Sequence, residues 1–318
     1  MFLPQLTADR PFLTDGGLET TLVFHQGLDL PDFAAFPLLD SAEGRAALVA
    51  YYTPYLDLAE RLGTGFVLDT PTWRANLDWG ARLGYDAARL AAVNQRAVEF
   101  VTALAAQRPG VTAIVNGVVG PRGDGYVVGA TMSAPEAAAY HGLQARAFAE
   151  AGAQMMSAIT MTYAEEAIGV ARAAAAVGLP AVISFTVETD GRLPSSQTLG
   201  DAIAQVDDAT RVAPAYYMVN CAHPTHFSNQ LEISAPWLSR VHGVRANASR
   251  LSHAELDEAV ELDRGDLEEL GALYASLGSL IDLRVVGGCC GTDHEHLGTI
   301  AGALDLALSP TTTMEVTS

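Results

Sequence analysis

Lysine is missing from this chain: all eighteen basic residues among its 318 are arginine. The absence excludes Schiff-base chemistry and a lysine-anchored pyridoxal group, both of which need a primary amine. It also excludes the phosphate-cradling Gly-x-x-x-x-Gly-Lys loop. No Gly-x-Gly-x-x-Gly follows the first apolar run, so nothing signals a dinucleotide site there. Thirty-seven acids against eighteen bases leave a formal net charge of −19, which disfavours nucleic acid as a partner. No apolar run approaches the roughly 18 residues of a membrane-spanning helix. The opening Met1-Phe2-Leu3-Pro4-Gln5-Leu6 has neither the charged nor the apolar block of a secretion signal, so cytoplasm is the expected location. Cysteine is limited to three residues. An odd number with two adjacent makes a poor disulfide framework and fits a reducing compartment.

What is present is globular: 49% apolar and 17% charged residues, enough to bury a large core. Short apolar runs alternate with longer alanine-rich stretches. Strands are expected at Phe12 to Thr14, Phe66 to Leu68, Val111 to Val115, Gln154 to Ile159, Ala181 to Phe185, Tyr216 to Val219, Val241 to Arg245 and Leu283 to Val286. Helices are expected between them, for example Ala42 to Leu62, Ala87 to Gln107 and Pro135 to Gly152. Ser133 ahead of Pro135 and Glu136 reads as a helix start, and Gly178-Leu179-Pro180 as a stop. Eight strand–helix repeats over about 250 residues predict an α/β protein with one closed (β/α)8 barrel, a TIM barrel. No linker divides the chain, so residues 1–308 form the single domain and 309–318 a polar tail. Asp15, Asp69, Asn116, Thr160, Phe185, Asn220, Cys221, Asn247, Cys289 and Cys290 fall at or just past the strand ends, where such barrels keep their active sites.

The chemistry concentrates in two of those ends, Val219-Asn220-Cys221 and Gly287-Gly288-Cys289-Cys290-Gly291-Thr292. Free cysteines are often inert small hydrophobes, and a vicinal disulfide is possible but strained. Three thiolates converging from two strand ends would instead make a zinc site with one of four positions open. An entering thiol would be held there as thiolate, whereas water would make a hydrolase. Three thiolate ligands weaken zinc as a Lewis acid, which favours thiol activation.

These motifs, with Asp15-Gly16-Gly17-Leu18, Asn116-Gly117-Val118-Val119-Gly120-Pro121 and Ser184-Phe185-Thr186, resemble the homocysteine S-methyltransferase family over about Leu13 to Leu304. The resemblance implies that Cys221, Cys289 and Cys290 bind Zn2+, that the acceptor thiol becomes the fourth ligand, and that Asp15 holds its amino group. It implies transfer of a methyl group from a sulfonium such as S-methylmethionine or S-adenosylmethionine, most simply to homocysteine, giving methionine. Betaine-using relatives tend to carry a longer C-terminal extension. Two departures stand out. The family's Glu-Thr after the fourth strand is Ile159-Thr160 here, which removes an acid that helps hold the amino group. Its Thr-Asn-Thr-aromatic-Gln pattern reads Thr70-Pro71-Thr72-Trp73-Arg74. Either Asp69 or Glu188 replaces the lost acid, or the acceptor is another thiol. A zinc hydrolase and a non-catalytic thiol binder remain as alternatives.

The expected substrate-binding set is Asp15, Asp69, Thr160, Phe185, Asn220 and Trp73. Trp73, with Phe185 and Trp79 behind it, offers a ring to a cationic donor. His223 and His226 are candidate ligands or relays that also read as plain loop residues. His294 and His296 read as exposed helix residues, and Arg122 as a carboxylate binder or a partner of Asp124. The expected partners are a small thiol and a methyl donor, with the protein a monomer or small homo-oligomer.

Overall fold

A computed structural model describes residues 2–211, 214–231 and 234–306. The tail expected at 309–318 lies outside them. Eight parallel strands, β1 (Phe12–Leu13), β2 (Phe66–Asp69), β3 (Ala113–Val119), β4 (Met155–Met161), β5 (Ala181–Phe185), β6 (Tyr216–Asn220), β7 (Val241–Ala246) and β8 (Val285–Gly288), follow one another around a closed barrel. β8 closes on β1 through the pairs Phe12–Val285 and Leu13–Val286. The outer ring is α1 (Ala42–Leu62), α2 (Ala87–Ala106), α3 (Ala134–Glu150), α4 (Ala164–Ala176), α5 (Leu199–Ala209), α6 (Pro224–Leu231), α7 (Leu267–Leu280) and α8 (His294–Ala303). The (β/α)8 reading of the sequence is therefore correct. No helix among the described residues is long and apolar enough to cross a membrane.

Local chemistry places the elements. Ser41 caps α1 by accepting from the Gly44 N–H, and Gly63, in the left-handed region at φ 63°, ends it. Ser133 and Glu136 form the capping box that starts α3. Most strands run past their expected ends, and glycines mark two of these extensions. β3 continues through Gly117, where any Cβ would collide with the Phe148 ring of α3; the glycine marks a close helix approach, not a turn. β8 extends into Gly287 and Gly288, which pair with Arg245 and Ala246 of β7 and where a Cβ would strike Thr14 or Thr292.

Side chains inside the barrel divide by height. Phe12, Val67, Ile114, Met155, Val182, Tyr216, Met218 and Val285 form an apolar floor, closed from below by Leu3. One inward position higher the lining becomes polar. Asn116 donates to Asp69 Oδ1 at 2.6 Å and accepts from Ser157 Oγ at 3.0 Å, and Ser184 donates to Asn220 Oδ1 at 2.6 Å. The polar layer supports whatever sits at the C-terminal mouth of the barrel, the face that carries function in this architecture.

Candidate metal centre

Cys221 directly follows β6, and Cys289 and Cys290 directly follow β8. Their three sulfurs lie within 4.8 Å of one another, with Cys221 and Cys290 at 3.5 Å. Backbone geometry enforces the approach. Cys221 adopts φ 52°, a left-handed conformation that is uncommon for a non-glycine residue. Its N–H donates to the Arg245 carbonyl of β7 at 3.0 Å, and the Cys289 N–H donates to the Ala246 carbonyl at 2.8 Å. The loop is then folded over: the Thr292 N–H and Oγ1 both donate to the Cys289 carbonyl, at 3.1 and 2.7 Å. Strand β7 thus holds the two cysteine groups from both sides.

The electrostatics of the cluster suit a cation. Hydrogen bonds from Cys221 and Cys290, helped by Arg245, hold the Cys289 thiol well below its ordinary pKa despite burial. Those same bonds push Cys221 and Cys290 up. A divalent ion held by the three sulfurs would favour the thiolate form of all three and release their protons. Amide donors complete the surroundings. Asn220 Nδ2 lies 3.9 Å from Cys289 Sγ, and Asn247 Nδ2 lies 3.8 Å from Cys221 Sγ. The donor set, three thiols and no fourth protein ligand among the described residues, fits zinc with an open position.

A cavity opens beside Cys289 and Cys290. Asp15, Glu19, Asp69, Trp73, Tyr126, Thr160 and Arg245 are among its walls. A second, outer cavity shares Trp73, Tyr126 and Cys290 and adds Asp124, Asp257, Glu261 and Asp263. Tyr126 stands between the two. Its hydroxyl is 3.0 Å from Cys221 Sγ, and its ring lies on His253 with centroids 4.3 Å apart.

Several expected residues meet here, and others do not. Thr160 lines the cavity at φ 66°. Asn220 lies beneath it as a hub, accepting from the Thr160 N–H and donating to Thr160 Oγ1, both at 2.9 Å. Trp73 lines both cavities, donates Nε1 to the Ile159 carbonyl, and carries the Arg74 guanidinium 4.5 Å over its ring. Phe185 is a correction: it is fully buried, stacked with Tyr217, and lines neither cavity, because it points from β5 towards the helices. His223 and His226 are outside the sulfur cluster, bonded to Thr225 Oγ1 and the Arg250 carbonyl. Arg122 pairs with Asp78, not Asp124. His296 is buried against Asp293, the cap of α8, whereas His294 is exposed as expected. Glu188 pairs with His253, away from the inner cavity.

Arg245 was not anticipated. This buried arginine on β7 forms ion pairs with both Asp15 and Asp69 and donates Nε to the Gly288 carbonyl at 3.1 Å. Asp15 also accepts from Tyr51 Oη at 3.0 Å. The signal lay in the pattern, since an arginine at an inward position of a strand buried on both faces requires a partner inside the barrel.

The sequence pattern described as Homocysteine S-methyltransferase matches residues 12–304. The chain belongs to that family. It is therefore a methyltransferase of the homocysteine S-methyltransferase kind, acting on a thiol. The homocysteine methyltransferase MmuM of Escherichia coli has the same fold. Its oxidised form matches at TM-score 0.74 and 20% identity, over 93% of this chain and 97% of that one. Its metallated form matches at TM-score 0.72 and 20% identity, over 93% and 98%. No curated protein resembles the chain closely enough in sequence to count as a match.

Proposed function

We propose that this family member transfers a methyl group from a sulfonium donor to a thiol bound through zinc at Cys221, Cys289 and Cys290. The reading is carried by one observation: three cysteine sulfurs within 4.8 Å of one another, two of them, those of Cys289 and Cys290, on residues that line a cavity. A metallated form of MmuM exists, which supports a metal for the corresponding cluster here. Zinc bound there would keep the acceptor sulfur as a thiolate at neutral pH.

The rest of the work falls to the chain. Asn220 and Asn247 point amide donors at the cysteine sulfurs and moderate their negative charge. The inner cavity orients the acceptor, while the outer one, acidic and faced by Trp73 and Tyr126, admits a cationic donor. The acceptor sulfur contributes the electron pair of the new S–CH3 bond. The donor sulfur keeps the pair of the bond that breaks and leaves as a neutral thioether. The acceptor's proton passes to solvent when its thiol binds. Homocysteine yielding methionine is the simplest acceptor and product. Three free thiols suit a reducing compartment such as the cytoplasm.

Zinc-loaded protein incubated with homocysteine and either S-methylmethionine or S-adenosylmethionine, with products read by mass, tests the proposal. Methionine should accumulate with one donor and vanish in Cys289→Ala. No methylated thiol with either donor would refute it, and turnover of an ester or amide instead would favour zinc hydrolysis.

A further inference from the structure

Three carboxylates line the inner cavity: Asp15, Glu19 and Asp69. Two are committed. Arg245 bridges Asp15 and Asp69, Tyr51 donates to Asp15, and Asn116 donates to Asp69. Asp15 and Asp69 therefore face the cavity already neutralised in part and rich in hydrogen bonds. Glu19 is different. It sits in the turn Leu18–Thr20 just past β1, and among the described residues no side chain donates to its carboxylate or pairs with it. The nearest source of positive charge, Arg74, is spread over the Trp73 and Trp79 rings at 4.5 and 3.7 Å.

The turn is also clamped to the metal loop. Gly17 admits no Cβ because the Cys289 carbonyl lies against it, and the Gly291 N–H reaches Thr20 Oγ1 at 3.4 Å. Glu19 is thus held at a fixed place relative to the sulfurs. Across the cavity the β4 wall, Ile159 and Thr160, has no charge at all. The lining holds three carboxyl groups and one guanidinium, with Asp15 and Glu19 pushed up to about 7 by burial. A substrate whose only charge is negative is disfavoured there, and a cationic group gains most at the carboxylate that lacks a partner.

Resting on the thiol-transfer reading above, we infer that Glu19 selects the acceptor by receiving the ammonium group of an aminothiol whose sulfur lies at Cys221, Cys289 and Cys290. Glu19 is a binding residue in this role, and Asp15, Asp69 and Arg245 form the rigid wall behind it.

The test is calorimetric binding to zinc-loaded wild type, Glu19→Gln and Glu19→Asp, using homocysteine and 4-mercaptobutyrate, which has the same chain without the amine. Wild type should bind homocysteine at least about tenfold more tightly than 4-mercaptobutyrate. E19Q should erase that preference by weakening homocysteine alone, with zinc content and melting temperature unchanged, and E19D should retain part of it. A wild-type preference that survives in E19Q, or no amine preference in wild type, overturns the inference. Failure of the underlying function looks different: wild type would take up zinc yet bind neither thiol, which would end both readings together.

Discussion

The buried Arg245 bridge is the element whose removal has the most calculable consequence. Replacing it by methionine, of similar length, leaves Asp15 and Asp69 facing one another inside the barrel with no cation between them. Removing one partner from a buried pair costs about 3–5 kcal/mol, because the remaining charge stays desolvated. Domains are stable by only about 5–15 kcal/mol. For a chain of this length, about 4 kcal/mol corresponds to a fall of about 6 °C in melting temperature. The loss should grow as pH rises from 7 to 9, because burial already holds the Asp15 carboxyl up at about 7 beside Arg245, and it goes higher still once the guanidinium is gone. Converting Asp15 and Asp69 to asparagine in the Arg245→Met background should recover most of the loss, since no uncompensated charge remains. Thermal melts of the zinc-free, reduced proteins at both pH values would read this. An Arg245→Met variant that melts like wild type at pH 7, or a triple variant less stable than the single one, would refute the reasoning.

Two further outcomes follow from the same geometry. Burial, with His226 and Arg250 nearby, pushes His223 down to about 4. The folded chain therefore binds fewer protons than the unfolded one between about pH 6.5 and 4, so stability falls as pH drops through that window; His223→Gln should flatten this part of the zinc-free melting profile, and parallel profiles would contradict it. Trp73→Leu should raise the donor KM by about tenfold, because the Trp73 ring is shared by the inner and outer cavities; an unchanged donor KM would contradict the donor's placement.

Much of this was legible in the sequence because the relevant signals are local. A β-like run ending in Asn220-Cys221, and another ending in Gly287-Gly288-Cys289-Cys290, place sulfur at strand ends wherever the strands close into a barrel. Helix caps at Ser133 and Gly178 were equally readable, since they need only short-range hydrogen bonds and glycine's access to positive φ. What escaped depends on contacts across the barrel. Arg245 reads as the end of an ordinary strand until β1 and β2 bring Asp15 and Asp69 to it. Phe185 has the strand-end position of a site residue but the wrong parity, so it faces the helices. Tyr126 lies in a glycine-rich loop whose sequence says nothing of the sulfurs it covers. Glu19 is four residues past Asp15, and only the commitment of its neighbouring acids to Arg245 gives it a distinct role.

The claim beneath all of this is that three cysteine sulfurs hold one zinc ion and leave a place for a fourth sulfur. X-ray absorption at the zinc edge, on reduced zinc-loaded protein with and without added homocysteine, addresses it directly. The account predicts one zinc per chain with three sulfur neighbours at about 2.3 Å, rising to four when the thiol is added. A chain that stays metal-free in zinc-replete reducing buffer, or a sulfur count that does not change with thiol, would contradict it.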